Sequence, residues 1–240
     1  MCPDHRQHRG AHPADEHLFS PAQLERLRQA VSDLSWLLGR GYATAAALKL
    51  TGDRYHLTQR QRLAVARAAC TDAQKKQRQH SCLPLAQISA RTLLIDGFNL
   101  IITIEAALSG GVLLRCRDEC IRDLSSVHGS YRSVAETERA ILLAGETLME
   151  MNPQAVTWLL DQPVSNSGRL AQQIRELAQA RGWPWQVEVV MNPDRTIVTS
   201  GLIAVSSDSM ILDGAAHWIN FNRTLIDRHL PQAWIIDLRD

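Results

Sequence analysis

Apolar positions at three- and four-residue spacing dominate the first third of the chain. Leu24, Leu27, Ala30, Val31, Leu34, Leu37 and Leu38 form one such face, opened by Ser20-Pro21 and closed by Gly39 and Gly41. A second helix is expected over Thr44–Leu50, ending at Thr51-Gly52. A third follows Thr58 as N-cap, with Leu63, Val65, Ala66 and Ala69 inside. Residues 18–80 therefore read as a small helical module. The polar stretch 71–90, with Pro84, ends it in a linker at 81–91. Residues 1–17 hold four histidines (His5, His8, His12, His17), Cys2 and no apolar period, and read as a disordered tail without fixed geometry for a metal.

From Arg91 the texture changes. TLLID (92–96), AVTWLLD (155–161), WQVEVVM (185–191), GLIAVSSD (201–208) and AWIID (233–237) are short apolar runs of strand type. Helical stretches are expected between them at 112–126, 134–151, 168–181 and 215–229. Continuous apolar strands alternating with helices predict an α/β domain over 92–240, with a buried parallel sheet and right-handed crossovers.

Composition adds a soluble character: 45% hydrophobic and 21% charged residues in 240. With no apolar run of about 18 residues, no membrane span is expected. A polar N-terminus and an odd number of cysteines point to the cytoplasm. The net charge of +1 conceals an asymmetry. Residues 21–80 carry eleven Lys and Arg against four acidic groups, and residues 81–240 carry thirteen against eighteen. A basic helical module beside an acidic domain suggests a clamp on nucleic acid; a solvated helix face is the plainer alternative.

Three strands end in aspartate: Asp96, Asp161 and Asp208, with Asp237 as a fourth. Parallel strands share one carboxyl edge, so these groups converge without being close in sequence. Crowded carboxylates repel unless a cation sits among them, and oxygen donors suit Mg²⁺ or Mn²⁺. Helix capping is the competing explanation for each Asp. Asn99 adds an amide after Asp96-Gly97, and Ser206 and Ser209 flank Asp208. Ser165, Asn166 and Ser167 open the helix 168–181, with Arg169 in its first turn, a combination suited to an anion such as phosphate. In His128-Gly-Ser-Tyr131-Arg132, Arg132 reads as a phosphate contact and Tyr131 as a base-stacking ring, or the segment is a helix-end turn. Cys116 and Cys120 are expected on one helix face as core packing, and Trp183 and Trp185 pack a turn. The chain has no Walker A, dinucleotide glycine fingerprint or Gly-x-Ser-x-Gly elbow, so no nucleotide cofactor is expected.

LIDGFNL (94–100) and AVSSDSMIL (204–212) resemble the first-strand motif and a later serine-flanked strand of the PIN and NYN nuclease superfamily. DLSWLLGRGY (33–42), RDLSSVHGSYR (122–132), LLDQPVSNSGRL (159–170) and NPD (192–194) resemble an uncharacterised prokaryotic family, the domain of unknown function numbered four hundred thirty-four. That family has a helical N-terminal module before a PIN-like domain. The resemblance implies Mg- or Mn-dependent hydrolysis of phosphodiester bonds, usually in RNA, with Asp96 and Asp208 as ligands and Asp161 as the third. It also implies a further acidic ligand from a helix. Asp118, Asp123, Glu136 and Glu138 are open for that role, Asp118 foremost as lying on the helix after the first strand. Asp194 and Asp213 are further acidic neighbours. The alternatives are a non-catalytic PIN-like scaffold for RNA or protein, a possible homodimer among them, and a phosphatase, which Phe98 disfavours in place of a second Asp.

Overall fold

A computed structural model describes residues 8–125 and 131–239. Its elements run α1 (Asp15–Leu18), α2 (Pro21–Gly39), α3 (Thr44–Arg54), α4 (Gln59–Ala68), α5 (Asp72–Ser81), β1 (Thr92–Asp96), α6 (Gly97–Leu108), β2 (Leu113–Arg115), β3 (Ile121–Asp123) and α7 (Thr137–Glu150). They continue with β4 (Ala155–Asp161), α8 (Ser167–Arg181), β5 (Trp185–Val190), α9 (Pro193–Thr199), β6 (Ile203–Val205), α10 (Ser209–Gly214), β7 (His217–Ile219), α11 (Phe221–His229) and β8 (Ile235–Asp237). Local chemistry sets several starts. Thr58 and Thr71 open α4 and α5 with reciprocal capping boxes to Gln61 and Gln74.

Five parallel strands form the main sheet in the order β5-β4-β1-β6-β7. Side-chain alternation divides its core. Leu93, Ile95, Val156, Trp158, Ile203 and Val205 face the layer of α6, α7, α8 and α11. Leu94, Leu159, Ala204 and Trp218 face the thinner layer of α9 and α10. The expected α/β fold, a parallel sheet flanked by helices after an all-helical N-terminal region, is the one observed.

Five expectations need correction. Residues 112–126 do not form a helix: β2 and β3 pair antiparallel, and Cys116 donates its backbone N–H to Cys120 across the turn (2.9 Å). Asp118 therefore sits on a hairpin, where the four-residue spacing of Cys116 and Cys120 mimics a helix. Residues 71–90 are not loose, since α5 occupies 72–81 and Leu83 N–H donates to Trp218 O (2.8 Å). The tail is docked over its described part: Asp15 is fully buried and bound by Arg60 (2.7 Å). The helix expected over 215–229 begins only at Phe221, because His217–Ile219 add a fifth strand. Finally, β8 leaves the main sheet and pairs with β2, so Asp237 lies elsewhere, bound by Arg239 (2.7 Å).

The helical region and the sheet are joined by one buried ionic knot. Asp118 accepts from Arg122 at both oxygens (2.9 and 2.6 Å) and from Arg78 of α5 (2.6 Å). Arg78 also binds Asp213 (2.7 Å), and Arg122 donates to the Ser207 carbonyl (2.7 Å). Burial alone would raise the Asp118 carboxyl, but the Arg122 and Arg78 charges overcome it and hold it at about 2. Removing one member strands buried charge, so Asp118→Ala is expected to lower the unfolding free energy by about 3–5 kcal/mol. Because the folded-state value is depressed, the carboxylate's stabilisation is present above pH 4 and lost as pH falls toward 2. Denaturant titrations of both proteins at pH 7 and pH 3 check this; a loss below about 1 kcal/mol at pH 7 would contradict the knot's role.

Candidate acidic site at the sheet edge

The main sheet changes winding direction between β1 and β6: chain order proceeds through β4 and β5 on one side and through β6 and β7 on the other. Ligands of open parallel sheets bind at that point, beyond the strand carboxyl ends. Register places the side chains there. Ile95 pairs with Val205, so Asp96 and Ser206 follow side by side, and Asp208 projects two residues further. On the other flank Asp96 pairs with Leu159, which puts Asp161 two residues beyond it on β4.

Asp96 is buried and has two partners. Its Oδ2 accepts from the Ser206 hydroxyl (2.8 Å), and its Oδ1 caps α6 through the Asn99 N–H (3.4 Å). Asp208 caps α10 with one oxygen, accepting from the Met210 N–H (2.8 Å). Two of the three aspartates thus do cap helices, without exhausting their acceptor capacity. Burial pushes the Asp96 carboxyl up to about 7, with the charges of Asp208 and Asp194 adding to the rise. Asp194, in the first turn of α9, is itself raised by burial and then by Asp208 and Asp161. These four acids share one electrostatic neighbourhood, and Asp161 is raised by its own burial.

A second row of side chains fixes Asn99. Its Oδ1 accepts from the Ser207 N–H (3.0 Å) and hydroxyl (2.7 Å), and Ser207 accepts from Asn222 Nδ2 (3.3 Å). Both bonds go to the amide oxygen of Asn99 and do not use its NH₂. Asn222, buried with its Oδ1 unpartnered, was not legible in sequence; its signal, an Asn in the first turn of α11, is a common one.

The other nominated residues go elsewhere. Ser167 donates to the Asp161 and Val164 carbonyls, and Asn166, at φ +69°, donates to the Tyr131 carbonyl (2.6 Å). Ser165 accepts from the Tyr131 N–H (3.2 Å). This helix opening therefore spends its polar groups on the neighbouring chain. Arg169 and Arg132 are exposed, and Ser209 is half-exposed beside Asp208. Tyr131 is fully buried and cannot stack on a base; its hydroxyl donates to Glu105 (2.6 Å). His128 lies outside the described residues. Asp118 has two guanidinium partners, and Asp123 accepts from Thr103 (3.0 Å). Glu136 accepts from His8 (2.7 Å), and Glu138 lies in the first turn of α7.

An all-oxygen set with Asp96, Asp161 and Asp194 raised by burial fits a hard divalent cation, which takes one or two carboxylates and keeps water. Among the described residues no three His, Cys, Asp or Glu side chains stand close enough to cage one ion. The Asp96–Asp208 pair fits the open kind of site, not a closed cage.

An open parallel α/β sheet with an acidic crevice at its winding reversal defines the class, and sequence similarity supplies the family. Residues 85–224, more than half of the chain, match the family described as Domain of unknown function (DUF5616), and the chain belongs to it. Residues 26–80 match Protein of unknown function (DUF434), so the resemblance noted above holds for the helical module. An uncharacterized protein of Methanocaldococcus jannaschii is 33% identical over 186 residues, 78% of this chain and 88% of the relative. No solved structure matches the chain.

Because the Asp96 carboxyl is raised, the folded state holds a proton that the unfolded chain has released between about pH 4 and pH 7. Stability is expected to fall as pH rises through that window. Asp96→Asn removes the charge, so it is expected to be more stable than the wild type at pH 8 without divalent ions and to match it at pH 4. Chemical denaturation against pH checks this; parallel curves for the two proteins would contradict it.

Proposed function

We propose that this chain is a divalent-metal-dependent nuclease with a PIN-like domain, hydrolysing phosphodiester bonds in RNA. The observation that carries the reading is the raised Asp96 carboxyl at the winding reversal, where its nearest charged influences are Asp208 and Asp194. Asp96 and Asp208 would hold a Mg²⁺ or Mn²⁺ ion, with Asp161 and Asp194 on its outer side. When bound, such an ion orients and acidifies a water and neutralises charge on the phosphate. The chain's own groups do the rest. Ser206 keeps one Asp96 oxygen turned by its hydrogen bond, so the carboxylate presents a fixed lone pair. The Ser207 pair of donors holds the Asn99 carbonyl oxygen, and its NH₂ would donate to a non-bridging phosphate oxygen. Met210, 73% exposed in the first turn of α10, and Met191, 68% exposed after β5, offer apolar footing for bases at the same edge.

A second reading, a scaffold that binds RNA without cutting, draws on specific observations. The fourth acid expected of the resemblance, Asp118, is consumed by Arg78 and Arg122. Much of the module's positive charge is also spent inside the molecule. Arg60 binds Asp15, Arg62 binds Asp53, and Arg67 donates to the Asp123 and Ser125 carbonyls. No helix among the described residues is long and apolar enough to cross a membrane.

Calorimetric titration with Mn²⁺ is expected to give saturable binding that is lost in Asp96→Asn and in Asp208→Asn. Cleavage of single-stranded RNA is expected to fall about a hundredfold or more in both. Mn²⁺ binding without cleavage would favour the scaffold, and no Mn²⁺ binding by the folded wild type would sink the nuclease reading.

A further inference from the structure

Glu105 lies on α6, away from the acidic crevice, and is fully buried. A lone buried carboxylate is costly unless it is matched by donors and charge. Here one oxygen accepts from the hydroxyls of Tyr131 (2.6 Å) and Thr137, and the other accepts from the guanidinium of Arg9. Arg9 belongs to no helix or strand. It reaches this position on the arm that precedes α1, and its guanidinium lies over the Tyr131 ring, 5.2 Å from the centroid. It also donates to the Arg132 carbonyl (3.2 Å).

The surroundings are shaped to the arm. A side chain at Gly111 would bring a Cβ within 2.5 Å of the Arg9 carbonyl, so glycine is required where the arm crosses. Beyond Arg9 the arm is pinned by Asp15, which accepts from the His12 N–H (2.8 Å) and from Arg60. Carboxylate, aromatic face and carbonyl around one planar cation are the recognition set for a guanidinium. Lysine would satisfy the charge and lose the fork and the stacking.

We propose that the Glu105 cradle is an arginine-recognition site, filled in cis by Arg9 as a tethered ligand and open to a guanidinium in trans when the arm is withdrawn. Its occupancy also orders the edge of the α8 entry, because Tyr131 donates its N–H to Ser165 (3.2 Å) and accepts from Asn166 (2.6 Å). Arg9 thus acts on that edge through Tyr131, independently of any chemistry at Asp96.

The test uses the full-length chain carrying Arg9→Ala, probed with ethylguanidinium and with the tripeptide His-Arg-Gly. Hydrogen exchange of the Tyr131 amide and the melting temperature are the readouts. Arg9→Ala is expected to lower the melting temperature and speed Tyr131 exchange about tenfold or more. Either probe is expected to reverse both effects saturably, as a ligand selective for the folded state must. Tighter protection by the tripeptide identifies a peptide arginine as the natural occupant, and equal protection identifies a small guanidinium compound. Adding Glu105→Gln should abolish protection by both. Arg9→Lys covers the case in which Arg9→Ala does not fold, and is expected to protect Tyr131 clearly less than the wild type does. Failure of both probes to protect Arg9→Ala, or wild-type protection in Arg9→Lys, overturns the proposal.

Discussion

The interaction on which the rest of the structure depends is the carboxylate of Asp118 between two buried guanidiniums. Arg78 arrives from α5, Arg122 from the β2–β3 hairpin, and both continue past Asp118 to the segment after β6. An ion pair this deeply buried gains little over apolar packing in net terms, yet loses heavily when one partner is removed. It therefore fixes geometry. Arg122 holds the Ser207 carbonyl and Arg78 the Ser209 carbonyl (3.3 Å) and Asp213, which bracket Asp208 on both sides. The knot thereby fixes the segment that carries Asp208.

That placement has an electrostatic consequence. Buried Arg78 and Arg122 and half-buried Arg60 and Arg9 are matched to Asp118, Asp213, Asp15 and Glu105. At the sheet edge burial raises Asp96 and Asp194 instead, and the neighbouring acidic charges add to the rise. Protonation at low pH relieves the cost of the buried Asp96 charge. Helix capping by Asp96 and Asp208 holds these carboxylates in position without neutralising them.

The sheet was legible because its strands are continuous apolar runs. Residues 92–96 and 155–161 are strands at their expected limits, and Asp96 and Asp161 end them. What failed was set by long-range partners. Strands β2, β3 and β7 have three residues each, too short for a period to declare itself. Cys116 and Cys120 imitate helical spacing while pairing across a turn. The excess of basic residues in 21–80 suggested a surface clamp, but Arg78 finds Asp118 forty positions away and Arg60 finds Asp15. Charge counted along a sequence carries no label saying which residues will be buried in pairs. Asp237 looked like a fourth strand-end acid because nothing in its local pattern assigns β8 to the smaller sheet.

The proposed metal site rests on an Asp96 carboxyl raised by burial, with the charges of Asp208 and Asp194 adding to it, which a divalent cation would lower. Carboxyl-carbon NMR of selectively labelled aspartate, titrated with and without Mg²⁺, addresses it at the atom concerned. Asp96 is predicted to titrate near pH 7 in the metal-free protein and to move down by more than about one unit in saturating Mg²⁺. An Asp96 that titrates in the ordinary carboxylate range, or one whose midpoint Mg²⁺ leaves unchanged, would contradict the account.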